Sequence, residues 1–230
     1  MRVAVITCKA YSDAWRPFFE LFHRFWSDCP YPLWLLTNEM DSHADVPVEQ
    51  NRIFAWNIQW AKLLGAFAES DSSPVLMMQE DFFLNAPVER HMVRYALEQL
   101  QKRQAGSCRI YPCPGPDEDY GDPYLGRVQP GARYRTSCQA TIWRADYLAD
   151  LCARPEIFDP WTFEIYGSQY SSGRSDEVLA FKREREPWPI QYLCSAINRG
   201  QWNPHAKELC EKYGINVDWS RRRFQAVAKS

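Results

Sequence analysis

The chain has eight cysteines but no Cys-x-x-Cys pair. A thiolate-built structural zinc site needs that spacing, so none is expected. No apolar stretch approaches the ~20 residues that cross a bilayer. Charge of one sign is lacking too: 27 Lys and Arg face 29 Asp and Glu, a net charge of -2. That balance argues against a broad nucleic-acid surface, and no nucleic-acid partner is expected. Glycine is missing from Cys8-Lys9-Ala10-Tyr11-Ser12-Asp13. A glycine-rich phosphate loop after the first strand is therefore absent, which counts against a sugar-phosphate nucleotidyltransferase. There is no internal repeat and no low-complexity segment. The segment Met1–Thr7 enters a strand pattern directly, with too short an apolar run for a signal peptide. The expectation is a soluble, cytoplasmic protein whose cysteines are free and mostly buried, Cys108 and Cys113 being the pair to watch.

What is present is a pattern of strands alternating with helices. Val3 to Cys8 reads as a strand. Ser12 or Asp13 then caps a helix carrying Trp15, Phe18, Phe19, Phe22, Phe25 and Trp26 at helical spacing. Leu33–Leu36 is a second strand ending at Thr37-Asn38-Glu39, and Arg52–Trp56 a short third. Asn57 caps a helix to about Glu69, with Ile58, Ala61, Leu64 and Ala68 on one face. The most informative stretch follows, Val75-Leu76-Met77-Met78-Gln79-Glu80-Asp81. A short unbroken apolar run after Ser72-Ser73-Pro74 is a buried central strand of a parallel sheet. Burying two adjacent carboxylates inside it would be costly, so Glu80 and Asp81 belong at its C-terminal mouth, the edge where open α/β sheets bind ligands. Carboxylates there suit a divalent cation and, through it, a diphosphate. The plain alternative is a strand ending in a solvated acidic turn.

The second half changes rhythm. Pro87 opens a helix to about Gln104. Residues 112–131, with five prolines, four glycines and Asp117-Glu118-Asp119, are a long loop, its acidic cluster read as solvated. Ser137–Trp143 reads as a strand and Arg144–Cys152 as a helix. At 230 residues the chain fits one domain. It has a first half over about 1–105 and an elaborated second half over about 106–230.

In this order the pieces resemble the GT-A glycosyltransferases, and the second half resembles bacterial polysaccharide glycosyltransferases more closely. Carrying that resemblance are the strand-to-helix segment Ser137–Arg144, Pro160-Trp161-Thr162-Phe163-Glu164, Gly167-Ser168, and Ala196-Ile197-Asn198-Arg199-Gly200-Gln201-Trp202. It implies a three-layer α/β/α fold with a mostly parallel central sheet, a nucleotide-sugar-binding first half and an acceptor-binding second half. The activity implied is transfer of a sugar from a nucleotide-sugar donor to a glycan or lipid-linked acceptor, with inversion. Of the family's Asp-x-Asp motif, the aligned triplet here is Gln79-Glu80-Asp81, with an amide in place of the first carboxylate. Asp81 matches the metal position, with Glu80 beside it and His205 as a third ligand for Mn²⁺ or Mg²⁺. The departure at Gln79 leaves open a metal-independent route in which Arg199 neutralises the diphosphate, and a non-catalytic nucleotide-sugar-binding protein. Donor contacts are assigned to Thr7, Asn38, Gln79, Glu80, Arg199 and Trp202. Glu164 is the expected general base, among aromatic neighbours that raise its pKa, with Asp176 and Glu177 in a Ser-Gly-Arg-Ser turn as runners-up. Trp161, Trp188 and Trp202 are candidate sugar-stacking rings. Arg221-Arg222-Arg223 is either a solvated tail or a weak contact to the anionic inner face of a membrane beside a lipid-linked acceptor.

Overall fold

A computed structural model describes residues 1–38, 52–55 and 58–226. The first half builds β1 (Arg2–Thr7), α1 (Trp15–Phe25), β2 (Leu33–Thr37), β3 (Arg52–Ala55), α2 (Trp60–Glu69) and β4 (Val75–Gln79). The helix after β3 starts at Trp60 with Gln59 as its N-cap, and the expected cap Asn57, like Glu39 and Trp56, lies outside the described residues. After β4 come β5 (Phe83–Leu84), α3 (Arg90–Lys102), β6 (Ser107–Arg109), β7 (Glu118–Asp119), β8 (Leu125–Arg127) and β9 (Thr141–Trp143). The chain ends with α4 (Ala145–Cys152), α5 (Pro160–Ser172), β10 (Val178–Phe181), β11 (Tyr192–Leu193), β12 (Ile197–Asn198), β13 (Gln201–Trp202) and α6 (Pro204–Lys212).

Among the described residues nine strands form one sheet in the order β3-β2-β1-β4-β9-β6-β10-β8-β7. Only β9 and β8 run against the rest, so the sheet is mostly parallel as expected. Two of its central strands, β1 and β4, are apolar throughout or nearly so because both faces are covered. Side chains alternate across a strand. Val3, Val5, Leu76 and Met78 accordingly pack with α1 and α3, and Ala4, Ile6, Val75 and Met77 pack with α2 and α4. That is the three-layer α/β arrangement. All eight cysteines are free thiols, four of them buried.

The sheet brings the C-terminal ends of neighbouring strands to one edge. Ile6 lies opposite Gln79, and Thr7 opposite Thr37. Beyond β4 the chain turns at once, with the Phe82 N–H donating to the Gln79 carbonyl at 3.2 Å. It then pairs β5 with β11. The Ala196 N–H donates to the Asp81 carbonyl at 2.8 Å, so residues 191–203 are drawn alongside the acidic pair. The long proline-rich loop is held down rather than free: buried Lys182 reaches the Asp119 carboxylate at 2.9 Å and the Asp122 carbonyl at 2.7 Å.

Close packing between α4 and the strand edge turns on Gly106. A Cβ there would meet the Tyr147 ring at 2.7 Å, and that ring is fully buried. Gly106→Ala should therefore destabilise the fold by about 1–3 kcal/mol through overpacking, read as a lower urea midpoint with an unchanged slope. An unchanged midpoint would mean that the ring has room to move.

Candidate functional site

At the C-terminal edge of β1 and β4 lies a cavity of about 540 Å³. Thr7, Cys8 and Tyr11 form one wall, from the end of β1 and the loop after it. Gln79, Glu80 and Asp81 form the floor. Cys138, Gln139, Trp161 and Glu164 come from the second half, and Ser195, Asn198 and Arg199 close the rim.

Glu80 and Asp81 are both buried, 7% and 6% exposed. The Thr7 hydroxyl accepts the Trp15 indole N–H at 2.8 Å and donates to Glu80. Burial, and then the charge of Asp81, hold the Glu80 carboxyl well above the usual range. Burial likewise pushes Asp81 up to about 6, against hydrogen bonds from Ser195 and the Ile197 backbone that favour its ionised form. The Ser195 hydroxyl also stands 2.6 Å from the Ile197 carbonyl, and its own backbone is left-handed, φ 87°. Asp81 Oδ1 is buried with no hydrogen-bond partner, so a cation or a proton would satisfy it. Hard divalent cations take oxygen ligands, and often only one or two carboxylates besides substrate phosphates and water. The pair fits that mode. Among the described residues no three His, Cys, Asp or Glu side chains group as a complete protein-only metal set.

Glu164 joins the same cavity from α5. That helix starts where Asp159 and Thr162 form a reciprocal cap, the Asp159 side chain accepting from the Thr162 N–H at 2.7 Å. Pro160 at its first position suits the cap. One oxygen of Glu164 accepts from the Cys138 N–H at 2.9 Å and faces the Ser137 hydroxyl at 3.4 Å. Burial raises its pKa, moderated by those donors and by buried Arg109. Arg199 sits in the two-residue turn joining β12 to β13, with Arg199 and Gly200 both left-handed at φ 51° and 75°. That is the geometry of a tight hairpin, and it places a guanidinium on the cavity rim.

The structure therefore gathers Thr7, Gln79, Glu80, Asp81, Trp161, Glu164 and Arg199 and leaves out the other expected residues. Asn38 follows β2, one strand further from β4, and does not line the cavity. Trp202 is corrected to a core residue: it is fully buried, edge-on to Trp219 at 4.9 Å between ring centroids. His205 is exposed on α6, paired with Glu208 at 2.9 Å and away from the cavity lining. Asp176 and Glu177 are ion-pair anchors rather than cavity groups. Burial alone would raise Asp176, but Arg144 and Arg174 outweigh it and lower the pKa. Arg103 first, and Arg127, lower Glu177, with Arg103 gripping both of its oxygens at 2.6 and 2.8 Å. Trp188 lies edge-on to Tyr111, also outside the cavity. Of the C-terminal arginines, Arg222 is no free tail: it holds both oxygens of Asp13 at 2.7 and 2.8 Å and stacks on Tyr11. The inner-face membrane contact expected of this run finds no support there, and no helix among the described residues is long and apolar enough to cross a membrane.

Sequence reading gave Tyr11, Ser195 and Gln139 no role at the cavity, and took Arg222 only as part of a solvated or membrane-facing run. Each acts through a long-range contact, and a lone Ser or Tyr in a loop carries no local signal of that.

The raised carboxyl of Asp81 has a consequence for stability. Its folded pKa of about 6 lies above the unfolded-chain value of 3.8, so the folded state keeps its proton longer. The contribution of Asp81 to stability is then greatest below the lower value and falls as pH rises through this window. Without added cation, the melting temperature of the native chain relative to that of Asp81→Asn should decline from about pH 4 to about pH 6. Parallel profiles for the two proteins would show that Asp81 is ionised throughout.

No family model matches the chain, and no curated protein sequence does. Among solved structures, residues 1–349 of S. aureus TarS align with 82% of this chain at 11% identity and a TM-score of 0.48. The chain spans 59% of that structure. LgtC, a galactosyltransferase solved with donor and acceptor sugar analogues, aligns over 93% of this chain and 95% of its own. Identity there is 10% and the TM-score 0.47. Likeness at this distance carries no residue's role across.

Proposed function

We propose that the chain transfers a glycosyl unit from a nucleotide-sugar donor to a hydroxyl of a glycan or lipid-linked acceptor, with inversion. The observation carrying this reading is a buried carboxylate pair at the mouth of a central strand that shares one cavity with a separate carboxylate on α5. The two needs of glycosyl transfer, a stabilised diphosphate leaving group and a base for the incoming hydroxyl, can be met within that cavity.

Asp81, with Glu80, would hold a Mn²⁺ or Mg²⁺ ion, which when bound supplies positive charge to the diphosphate. Arg199 on the rim supplies a second, protein-borne cation suited to phosphate oxygens. Tyr11 and Trp60 offer ring faces to the nucleobase and sugar within the same cavity. Glu164 is the base. Cys138 and Ser137 fix one of its oxygens and leave the other to accept the proton of the acceptor hydroxyl as that oxygen attacks the anomeric carbon. The bond from that carbon to the diphosphate oxygen breaks in the same displacement. Burial makes Glu164 a stronger base than a solvated carboxylate.

Incubation with a set of nucleotide sugars and Mn²⁺, reading free nucleoside diphosphate, tests the reading directly. Failure of every donor to raise the melting temperature or to release diphosphate would overturn it. Two substitutions assign the roles. Glu164→Gln should lower kcat by about a hundredfold or more while donor affinity barely moves. Retained turnover at saturating donor would remove Glu164 as base. Asp81→Asn conserves volume and should abolish the Mn²⁺-dependent part of nucleoside diphosphate binding, measured by calorimetry with and without chelator. If the native protein binds equally in both conditions, the Arg199 route is the one in use.

A further inference from the structure

Glu164 and Trp161 line two cavities. The second, about 600 Å³, opens between α5 and the loop of residues 131–136. Helical spacing sorts α5 into two faces. Phe163, Gly167 and Ser171 are buried against the body of the protein, and Gly167 lets Thr136 approach to where a Cβ would meet it at 3.0 Å. The opposite stripe, Trp161, Ile165, Gln169 and Ser172, lines the cavity, with Trp161 71% exposed and Ile165 56%. Large apolar side chains left in water beside a cavity mark a binding surface.

The facing wall is built to keep its shape. The Gly131 N–H donates to the Ser172 hydroxyl at 2.8 Å, and the Thr136 N–H to the Ser168 hydroxyl at 3.0 Å. Between these staples Tyr134 stands in the left-handed region, φ 58°, an uncommon conformation for an aromatic residue. Its carbonyl accepts from the buried guanidinium of Arg109, which also reaches the Pro114 carbonyl at 2.6 Å. Such strain survives only where surrounding structure enforces it, and it collects at binding sites.

From this geometry we infer that the second cavity binds the further sugar units of an oligosaccharide acceptor, so that the acceptor is a glycan of two or more units. The inference rests on the glycosyl-transfer reading for its direction, since the shared Glu164 and Trp161 put the far units in line with the reacting hydroxyl. Sugars present flat CH faces that stack on rings and hydroxyls that seek amide and guanidinium groups. Trp161 and Tyr134 supply the rings, and Gln169 and Arg133 the polar groups. The volume lies in the range of cavities that enclose small ligands and exceeds what one sugar ring fills. Pre-formed walls keep the ordering cost of binding low.

Saturation-transfer NMR can test this without donor or turnover, using linear trisaccharides of glucose, galactose, mannose and N-acetylglucosamine beside their monosaccharides. At least one trisaccharide should bind the native chain about tenfold or more tightly than its monomer. Trp161→Ala and Tyr134→Ala should each bring that ratio close to one. Trp161 is mostly exposed, so its variant should keep the native melting temperature, which separates lost binding from lost fold. A ratio near one in the native chain overturns the inference, as does a preference surviving both substitutions. A ratio near one together with Trp161-dependent adsorption to phosphatidylglycerol vesicles would make the patch a membrane contact instead. Nucleoside diphosphate release, measured separately, shows whether any failure lies in this subsite or in the transfer reading itself.

Discussion

The desolvation of two neighbouring carboxylates is the constraint around which this molecule is arranged. Placing Glu80 and Asp81 under cover at the end of β4 opposes their ionisation, and the repulsion between them adds to it. Elements far apart in sequence converge to offset that cost. Thr7, itself held by Trp15 from α1, reaches Glu80, and Ser195 with the backbone of Ile197 reaches Asp81. The pair remains incompletely satisfied, with one Asp81 oxygen unpartnered. A protein that needed only a stable strand end would solvate these groups. Kept buried and short of donors, they leave a carboxylate oxygen that a proton or a cation would satisfy.

The same constraint explains why the second half folds back on the first. The β5–β11 pairing and the Ala196-to-Asp81 hydrogen bond draw residues 191–203 over the acidic floor, and the Arg199–Gly200 turn becomes a cationic rim. The segment after α6 packs back on the first half. Phe224 bridges to Trp202, and Arg222 clamps Asp13 in the loop that carries Tyr11. One arginine of the C-terminal run thus braces the wall that Tyr11 forms. The ion pairs of Asp176 and Glu177 anchor the loop leading into β10, and of the three candidate bases Glu164 is the one that lines the cavity with Glu80 and Asp81.

Much of this was legible in residue order. The apolar run ending in carboxylates identified β4 as the central strand because only a doubly covered strand is apolar on both faces. The helical spacing of the aromatics in α1 followed from hydrophobic periodicity, but the expected cap at Ser12 or Asp13 is not formed: those residues lie in a 3-10 turn and α1 begins after Ala14 with no side-chain cap. The placing of Glu164 in a partly buried, aromatic setting was also legible, since it sits one turn into a helix whose start is marked. Less was legible where a residue's role depends on what lies opposite. Trp202 and Trp161 occur in equally suggestive motifs, yet one is enclosed by Phe83 and Trp219 while the other stands in water.

What the sequence by itself determined is the strand–helix alternation and the acidic end of β4, because these follow from hydrophobic period and the cost of burying charge. Tertiary structure alone decided which polar groups share a cavity. Asp176, Glu177 and Glu164 are chemically similar candidates on paper. Only the fold pairs two of them with arginines and places the last in the cavity of Glu80 and Asp81. Long-range contacts carry no local signature, since the partner that neutralises or frees a side chain can lie more than a hundred residues away, as Ser195 does from Asp81.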